Sequence, residues 1–300
     1  MVSAARRLLM RRQGPWLFEG EESFPALGGL RCCVQIGDFD EIGRTLVIDG
    51  TVQLSEVIDP VYTTSLVFPA ALLAPSRRRW LIVGGGDGAA AREALRFRDT
   101  ELVRLVDVSR VVIEQTQALI PSFWAGCQRD SRLEIITRDA TRVMAEMVDR
   151  EEQVDVLVYD LSDPSTDDIT PFSESPADDL YSEAAFRAAS RCLRPGGVFV
   201  AQMAELSQLQ WRAHARGRRL LSRVFRHVHS YRTHIEPFGY SESWILASDH
   251  EGVGDPTREV DVDARLAELY TGDATGLYDG AWHRQLFTLP PWLRRTLSEG

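Results

Sequence analysis

The stretch Trp80-Leu81-Ile82-Val83-Gly84-Gly85-Gly86-Asp87-Gly88-Ala89-Ala90-Ala91 decides the fold class of this chain of 300 residues. Its first four residues are apolar and predict a buried strand. Its glycines then form the motif G-x-G-x-x-A, where a helix over 89–97 is expected to begin. Glycines in such a turn let the backbone bend tightly and approach a ligand closely. Alone the motif is a weak signal, because Gly-rich turns between a strand and a helix also arise for packing.

Strands and helices alternate along the rest of the chain, which strengthens this interpretation. Short apolar runs bounded by turn signals predict further strands over 102–106, 133–137, 154–159, 198–202 and 243–247. Alternation of this kind is typical of a parallel sheet covered by helices. We therefore predict an α/β fold with a Rossmann-like, mostly parallel sheet and helices on both of its faces.

The region before this sheet has a different pattern. Residues 32–54 alternate apolar and polar side chains around turn signals, which predicts a short antiparallel meander. We expect residues 1–30 to be a terminal extension that can be partly disordered, residues 31–68 a small N-terminal antiparallel β domain, and residues 69–300 a Rossmann-like catalytic domain. Within the latter, the Ser-, Thr-, Pro- and Asp-rich segment 165–179 predicts either a mobile lid or a solvated loop.

Aspartates follow four successive predicted strands. Asp87 lies in the glycine turn, Asp107 ends the next strand, and Asp139 and Asp160 follow the third and fourth strands. Ligands of open α/β sheets bind at this edge, and a carboxylate at the end of the second strand can accept hydrogen bonds from ribose hydroxyls. Taken alone, Asp139 fits a helix cap equally well, and Asp160 with Asp163 fits a turn. As a series, the aspartates predict a nucleoside site.

Composition excludes several classes of partner. The formal net charge is −10, and all 34 basic residues are arginine, so neither nucleic-acid binding nor lysine Schiff-base chemistry is indicated. No apolar run approaches the roughly 20 residues of a membrane span. The four cysteines lack the spacing of a zinc site or a disulfide framework. We expect a cytoplasmic enzyme without a metal or a permanently bound cofactor.

The charge of the glycine turn favours one kind of nucleoside over another. Asp87 would point a negative charge at the pyrophosphate of NAD, and the chain lacks a convincing second mononucleotide-binding half. A sulfonium nucleoside has no phosphate and carries positive charge, so acidic residues near the turn become favourable. The residues therefore indicate an S-adenosyl-type ligand.

The same residues resemble the spermidine synthase family of polyamine aminopropyltransferases. The resemblance covers roughly residues 34–297 and rests on the run Gly84-Gly85-Gly86-Asp87-Gly88, on Asp107, on Asp139-Ala140, on Asp160-Leu161-Ser162-Asp163-Pro164 and on Leu180-Tyr181. Asp rather than Glu at position 107, and Leu161 after Asp160, look more like the thermospermine synthase branch.

The resemblance implies an activity and a set of roles. The family transfers the aminopropyl group of decarboxylated S-adenosylmethionine, a co-substrate, to a diamine or polyamine and releases methylthioadenosine. Asp160 would be the general base, with Asp163 and Tyr62 orienting the attacking amine and Tyr240 lining the acceptor channel. A homodimer or homotetramer is also implied. The donor-binding residues would be Gln53, Gly84, Gly86, Asp87, Gly88, Asp107, Asp139 and Ala140.

Departures from the family pattern keep two alternatives open. Thr63 and Thr64 follow Tyr62 where the family has a His or Gln and then a Glu, and the segment 237–241 is altered. One alternative is a methyl- or alkyltransferase that uses intact S-adenosylmethionine on a small amine. Common methyltransferases carry an acid at the position of Ile82, and its absence disfavours this alternative. The second alternative is a non-catalytic homologue that binds nucleoside or polyamine.

Overall fold

The computed structural model describes residues 11–27, 29–164, 177–258, 260–274 and 276–299. Within these ranges the chain forms two sheets, a small antiparallel one followed by a larger, mostly parallel one with helices on both faces. The fold class predicted from the sequence is confirmed.

The N-terminal sheet consists of antiparallel strands arranged in sequence order. Along its second strand, the buried side chains Cys32, Val34 and Ile36 alternate with more exposed ones. This alternation places one face of the sheet on the core and leaves the other face to solvent. The strands are β1 Arg12–Phe24, β2 Leu30–Phe39, β3 Gly43–Ile48 and β4 Thr51–Ser55.

The beginning of the chain differs from the extension predicted for residues 1–30. Residues 12–24 form β1, which pairs with β2 along most of its length. Strand β1 is an edge strand, and its side chains are mostly exposed or half-buried. It therefore lacks the apolar alternation that marks a strand in a sequence. Residues 1–10, for which partial disorder was expected, lie outside the described residues.

The predicted domain boundary between residues 68 and 69 falls inside one helix. Helix α1, Asp59–Leu73, begins with a proline in its first turn and is buried along nearly all of its length. It packs against strands of the large sheet rather than only against the small one. We therefore place the end of the N-terminal sheet at Ser55.

The strands of the large sheet are β5 Arg79–Gly84, β6 Leu102–Asp107, β7 Leu133–Thr137, β8 Val154–Asp160, β9 Leu193–Glu205, β10 His227–Ile235 and β11 Tyr240–Ser248. They have the order β10-β11-β9-β8-β5-β6-β7. Strands β9, β8, β5, β6 and β7 are parallel to one another. Strands β11 and β10 extend the sheet beyond β9 as antiparallel strands at one edge. The sequence predicted every strand except β10.

Two apolar cores lie on the two faces of this sheet. Alternate side chains of β5 point to opposite faces, so Trp80 and Ile82 join one core and Leu81 and Val83 the other. Helices Asp59–Leu73, Ala89–Leu95 and Arg110–Leu119 pack on the first core, whereas helices Ala140–Asp149, Glu183–Cys192 and Arg212–Leu221 pack on the second. The helices after α1 are α2 Ala89–Leu95, α3 Arg110–Leu119, α4 Pro121–Trp124, α5 Ala140–Asp149, α6 Glu183–Cys192, α7 Arg212–Leu221, α8 Val262–Leu269, α9 Gly280–Phe287 and α10 Pro291–Glu299.

The strand order positions a ligand crevice. The chain leaves β5 toward β6 and β7, and then returns to the other side of β5 to form β8. A crevice opens at such a reversal, beyond the carboxyl ends of β5, β6 and β8. Most of the predicted lid, residues 165–176, lies outside the described residues. No helix in the described part of the chain is long and apolar enough to span a bilayer.

Candidate active site

A cleft lies between the N-terminal sheet and the carboxyl ends of the parallel strands. The small sheet supplies one wall, which includes Phe24, Cys32 and Gln53, and helix α1 supplies Tyr62. The opposite wall is the edge of the large sheet, at the crevice expected from the strand order. From that edge the cleft is lined by Gly84, Gly85, Gly86, Asp87, Asp107, Asp139, Ala140, Asp160 and Leu161.

The glycine turn depends on its lack of side chains. Gly84 and Gly85 have φ angles of +80° and +65°, a region that side chains disfavour, and Gly85 N donates to the carbonyl oxygen of Asp160 at 2.8 Å. A Cβ on Gly86 would lie 2.7 Å from Oδ2 of Asp107. The turn therefore brings backbone against two carboxylate-bearing strand ends.

Asp107 is held by backbone amides at the end of β6. Its Oδ2 accepts from Gly86 N at 2.9 Å, and its Oδ1 accepts from Ser109 N at 2.7 Å. Burial raises the pKa of Asp107, and these amide hydrogen bonds offset part of that rise. The carboxylate is thus fixed in one orientation at the wall of the cleft.

Asp139 caps a helix and also lies at the wall of the cleft. Its Oδ1 caps helix α5 by accepting from Thr141 N at 2.8 Å and from Thr141 Oγ1 at 2.7 Å. The same residue lines the cleft next to Ala140. The preceding Arg138 also lines the cleft and forms an ion pair with Glu146.

Asp87 and Asp160 form the most acidic part of the cleft. Burial and the charge of Asp160 raise the pKa of Asp87, against a hydrogen bond from Ala89 N that lowers it. Burial also raises the pKa of Asp160, with the charge of Asp107 adding to the effect. Tyr62 opposes this rise by donating its hydroxyl to Asp160 Oδ1 at 2.8 Å. A positively charged group between Asp87 and Asp160 would favour the ionised form of both carboxyl groups.

A second polar cluster lies beside Asp160, toward β9 and β11. Gln202 Nε2 donates to Asp163 Oδ1 at 2.5 Å and to Glu242 Oε1 at 3.1 Å, while Tyr181 donates to Gln202 Oε1 at 3.0 Å. Burial, followed by the charge of Asp163, raises the pKa of Glu242. Tyr240 hydrogen-bonds to Glu242 and stacks on Phe238.

Most of the site residues predicted from the sequence lie together around the cleft, and three do not line it. Gly88 is the residue before helix α2, where its φ of +88° and its contact with Trp124 explain the glycine. Asp163 and Tyr240 belong to the neighbouring polar cluster. The residues that line the cleft as predicted are Gln53, Tyr62, Gly84, Gly86, Asp87, Asp107, Asp139, Ala140 and Asp160.

Two members of the polar cluster, Gln202 and Glu242, were missed by the sequence analysis. Gln202 lies near the end of the fifth parallel strand, so the argument that selected the aspartates applied to it too. Glu242 lies two positions after Tyr240 on β11 and so shares its face. Because the strand was expected to begin at residue 243, the sequence analysis did not place Glu242 on the same strand as Tyr240.

A buried ion-pair network fixes the start of the helix that carries Tyr62. Arg92 of helix α2 donates to both carboxylate oxygens of Asp59, at 2.8 and 2.9 Å, in the first turn of the helix that carries Tyr62. Arg92 Nε also donates to Glu93 at 2.8 Å. The first turn of α1 is therefore anchored to the helix that follows the glycine turn.

Comparison with known proteins agrees with this geometry. Residues 59–253 match the family model described as Spermine/spermidine synthase domain. The chain is 31% identical over 285 residues to the polyamine aminopropyltransferase of Aeropyrum pernix, and this alignment covers 94% of this chain and 84% of that protein. It is 32% identical over 304 residues to polyamine aminopropyltransferase 2 of Hyperthermus butylicus, which covers 98% of this chain and 95% of that protein.

Solved structures show the same fold. The spermidine synthase of Thermotoga maritima superposes with a TM-score of 0.79 at 23% identity, over 97% of this chain and 89% of that one. A spermidine synthase in complex with the transition state analogue AdoDATO gives the same score and identity, over 97% and 90%. With a family model that spans well over half of its length and relatives above 30% identity, this chain belongs to the spermine/spermidine synthase family.

Proposed function

We propose that this protein transfers the aminopropyl group of decarboxylated S-adenosylmethionine to a diamine or polyamine and releases methylthioadenosine. The observation that carries the proposal is the group of half-buried carboxylates around the glycine turn, in which Asp87, Asp107 and Asp160 line one cleft. Such a cleft favours a ligand with positive charge and no phosphate. The names of the curated relatives support the same activity.

The donor nucleoside would lie along the glycine turn and the small sheet. Asp107 is held by amides in an orientation that can accept from both ribose hydroxyls, and Asp139 and Gln53 lie on the adjoining walls. Asp87 would pair with the terminal ammonium of the donor. Burial has already raised the pKa of Asp87, so this cation would favour its ionised form.

The transfer step would be a displacement at carbon. The lone pair of the acceptor nitrogen forms a bond to the aminopropyl carbon next to the sulfonium, and the carbon–sulfur bond breaks with its electrons moving to sulfur. Methylthioadenosine leaves as a neutral thioether, and the proton of the amine passes to Asp160. Tyr62, bonded to Asp160 Oδ1 at 2.8 Å, would hold that carboxylate toward the nitrogen.

The acceptor would extend from Asp160 into the neighbouring polar cluster. Asp163 and Glu242 share one donor, Gln202 Nε2, at 2.5 and 3.1 Å, so two carboxyl groups lie close together there. An ammonium group of the acceptor would stabilise both in ionised form. Tyr240, bonded to Glu242, would form part of the same channel.

Methyl transfer from intact S-adenosylmethionine is the second candidate, and one feature disfavours it. Ile82 occupies the position where common methyltransferases carry an acid for the methionine amine, and its side chain is fully buried in the core. No carboxylate can therefore reach the ligand from that position.

Mass spectrometry separates these candidates. The protein is incubated with decarboxylated or intact S-adenosylmethionine and a panel of diamines and polyamines, with reactions lacking an acceptor as the control. We expect methylthioadenosine and an acceptor enlarged by one aminopropyl unit, only with the decarboxylated donor. A methylated amine with S-adenosylhomocysteine would identify a methyltransferase instead. Neither product with any acceptor would identify a non-catalytic homologue.

The proposal includes a cellular setting. The acceptor is a small amine, and the protein works in the cytoplasm as a homodimer or homotetramer. All four cysteines are free thiols, in agreement with a reducing compartment. Light scattering of the purified protein measures the number of subunits.

A further inference from the structure

A glutamate of the N-terminal strand reaches across to the large domain. Glu22 of β1 accepts from Ser109 Oγ at 2.5 Å and from the amides of Arg110 and Val111 at 3.1 and 3.4 Å. These groups form the first turn of helix α3, where backbone N–H groups have no partner within the helix. Glu22 thus binds the start of a helix that belongs to another part of the fold.

The hydrogen bonds of Ser109 extend this contact into the cleft. Ser109 N donates to Asp107 Oδ1 at 2.7 Å, and Asp107 Oδ2 accepts from Gly86 N at 2.9 Å. Ser109 also caps α3 by accepting from Val112 N at 3.0 Å. An unbroken series of hydrogen bonds therefore runs from Glu22 through Ser109 and Asp107 to the glycine turn.

The charge of Glu22 also acts on the carboxylate of the cleft to which it is linked. Its charge disfavours ionisation of the nearby Asp107, and in the described part of the chain no arginine or histidine lies within ion-pair distance of it. The amides at the start of α3 are the groups that stabilise its charge. Two residues further along β1, Phe24 lines the cleft itself. This strand therefore contributes to the cleft both a wall and a hydrogen-bonded support.

We propose that Glu22 is a positioning residue for the donor, and that strand β1 and the nucleoside stabilise each other. Glu22 fixes Ser109, and Ser109 fixes the carboxylate of Asp107 toward the ribose. The inference rests on the proposed function, because it takes Asp107 to be the ribose ligand. Coupling between two sites is reciprocal, so bound nucleoside must in turn hold β1 more firmly against α3.

Calorimetric titration with methylthioadenosine tests the first half of the proposal. We expect Glu22→Ala to raise its Kd about tenfold, equivalent to a lost coupling free energy of about 1.4 kcal/mol between the two sites. Glu22→Gln keeps an acceptor for the amides and is expected to stay within about threefold of the wild type, because a cap needs an acceptor more than a charge. At saturating donor, kcat is expected to remain unchanged in both variants.

The matched control is Glu19→Ala. Glu19 lies on the same strand with its side chain on the other face, where it accepts from Gln35 Nε2 at 2.8 Å. Its removal changes the charge of β1 equally and is expected to leave the Kd unchanged. An equal rise of Kd in Glu19→Ala and Glu22→Ala would mean that the effect is general electrostatics or strand stability, and would overturn the proposal.

Hydrogen exchange tests the reciprocal half. In the wild type, methylthioadenosine is expected to slow exchange of the β1 amides around Glu22, and in Glu22→Ala this protection is expected to be lost. If Glu22→Ala does not fold, Ser109→Ala breaks the same series of hydrogen bonds and is expected to give the same two results. A wild type that does not bind methylthioadenosine would refute the proposed function. A wild type that binds it, with unchanged Kd and unchanged protection in the variants, would refute this inference alone.

Discussion

Tyr62→Phe probes how the cleft sets the basicity of Asp160. The tyrosine hydroxyl donates to Asp160 Oδ1 at 2.8 Å, and no other side chain in the described residues donates to that carboxylate. Phenylalanine keeps the ring, which packs edge-on against Trp244 with centroids 5.7 Å apart, and removes only the donor. The substitution therefore isolates one hydrogen bond.

The size and direction of the effect follow from the surroundings of Asp160. Its pKa is already raised by burial and by the charges of Asp107 and Asp59, and the Tyr62 hydroxyl opposes that rise. A hydrogen bond to a charged group contributes about 1.5–3 kcal/mol, and about 1.36 kcal/mol corresponds to one pKa unit. Loss of the bond is expected to raise the pKa of Asp160 by about one to two units.

The assay is kcat as a function of pH at saturating substrates. A base must be ionised to accept a proton, so activity is present above its pKa and is lost as pH falls through it. We expect the acid limb of Tyr62→Phe to lie about one to two pH units above that of the wild type, with partial recovery at higher pH. Tyr159→Phe is the control, because that hydroxyl lies in the opposite core, 3.5 Å from the sulfur of Met144. An acid limb that does not move in Tyr62→Phe would refute the role given to Asp160.

Two further substitutions test the support of the site and its acceptor side. Arg92→Met leaves Asp59 buried without its cation, while Glu93 keeps Arg96 as a partner, so we expect a loss of about 3–5 kcal/mol in the free energy of unfolding by urea. The exposed Arg110→Met is the control, and a loss below about 1 kcal/mol in Arg92→Met would contradict the buried network. Glu242→Gln is expected to raise the acceptor KM about tenfold with the donor Kd unchanged, because Glu242 belongs to the polar cluster proposed for the acceptor and does not line the cleft proposed for the donor. A change in donor Kd alone would place Glu242 on the wrong side of the site.

The parts of the site that the sequence predicted are those encoded locally. The glycine turn and the aspartates at the ends of β5, β6 and β8 each follow directly from a buried strand, and parallel strands bring their ends to one edge. The position of Asp107 beside Gly86 needed only this rule. The family resemblance added the roles of these residues, and those roles stay predictions until variants are measured.

The parts that escaped prediction depend on contacts between distant segments. Strand β1 is an edge strand with few buried side chains, so its residues carry no periodic apolar signal, and Glu22 could not be connected with Ser109. Strand β10 mixes histidine, serine and arginine with its apolar residues for the same reason. The pairing of Glu242 with Gln202 depends on the antiparallel register of β9 and β11, which no local pattern reports.

The most direct test of the account is a paired measurement on Asp160→Asn, with donor affinity from calorimetry and turnover from release of methylthioadenosine. The amide keeps the shape of the carboxyl but cannot take the proton from the acceptor nitrogen. We predict that turnover falls by about two to four orders of magnitude while the donor Kd stays near the wild-type value. Retained turnover, or an equal loss of donor binding and turnover, would contradict the assignment of Asp160 as the base that faces the acceptor amine.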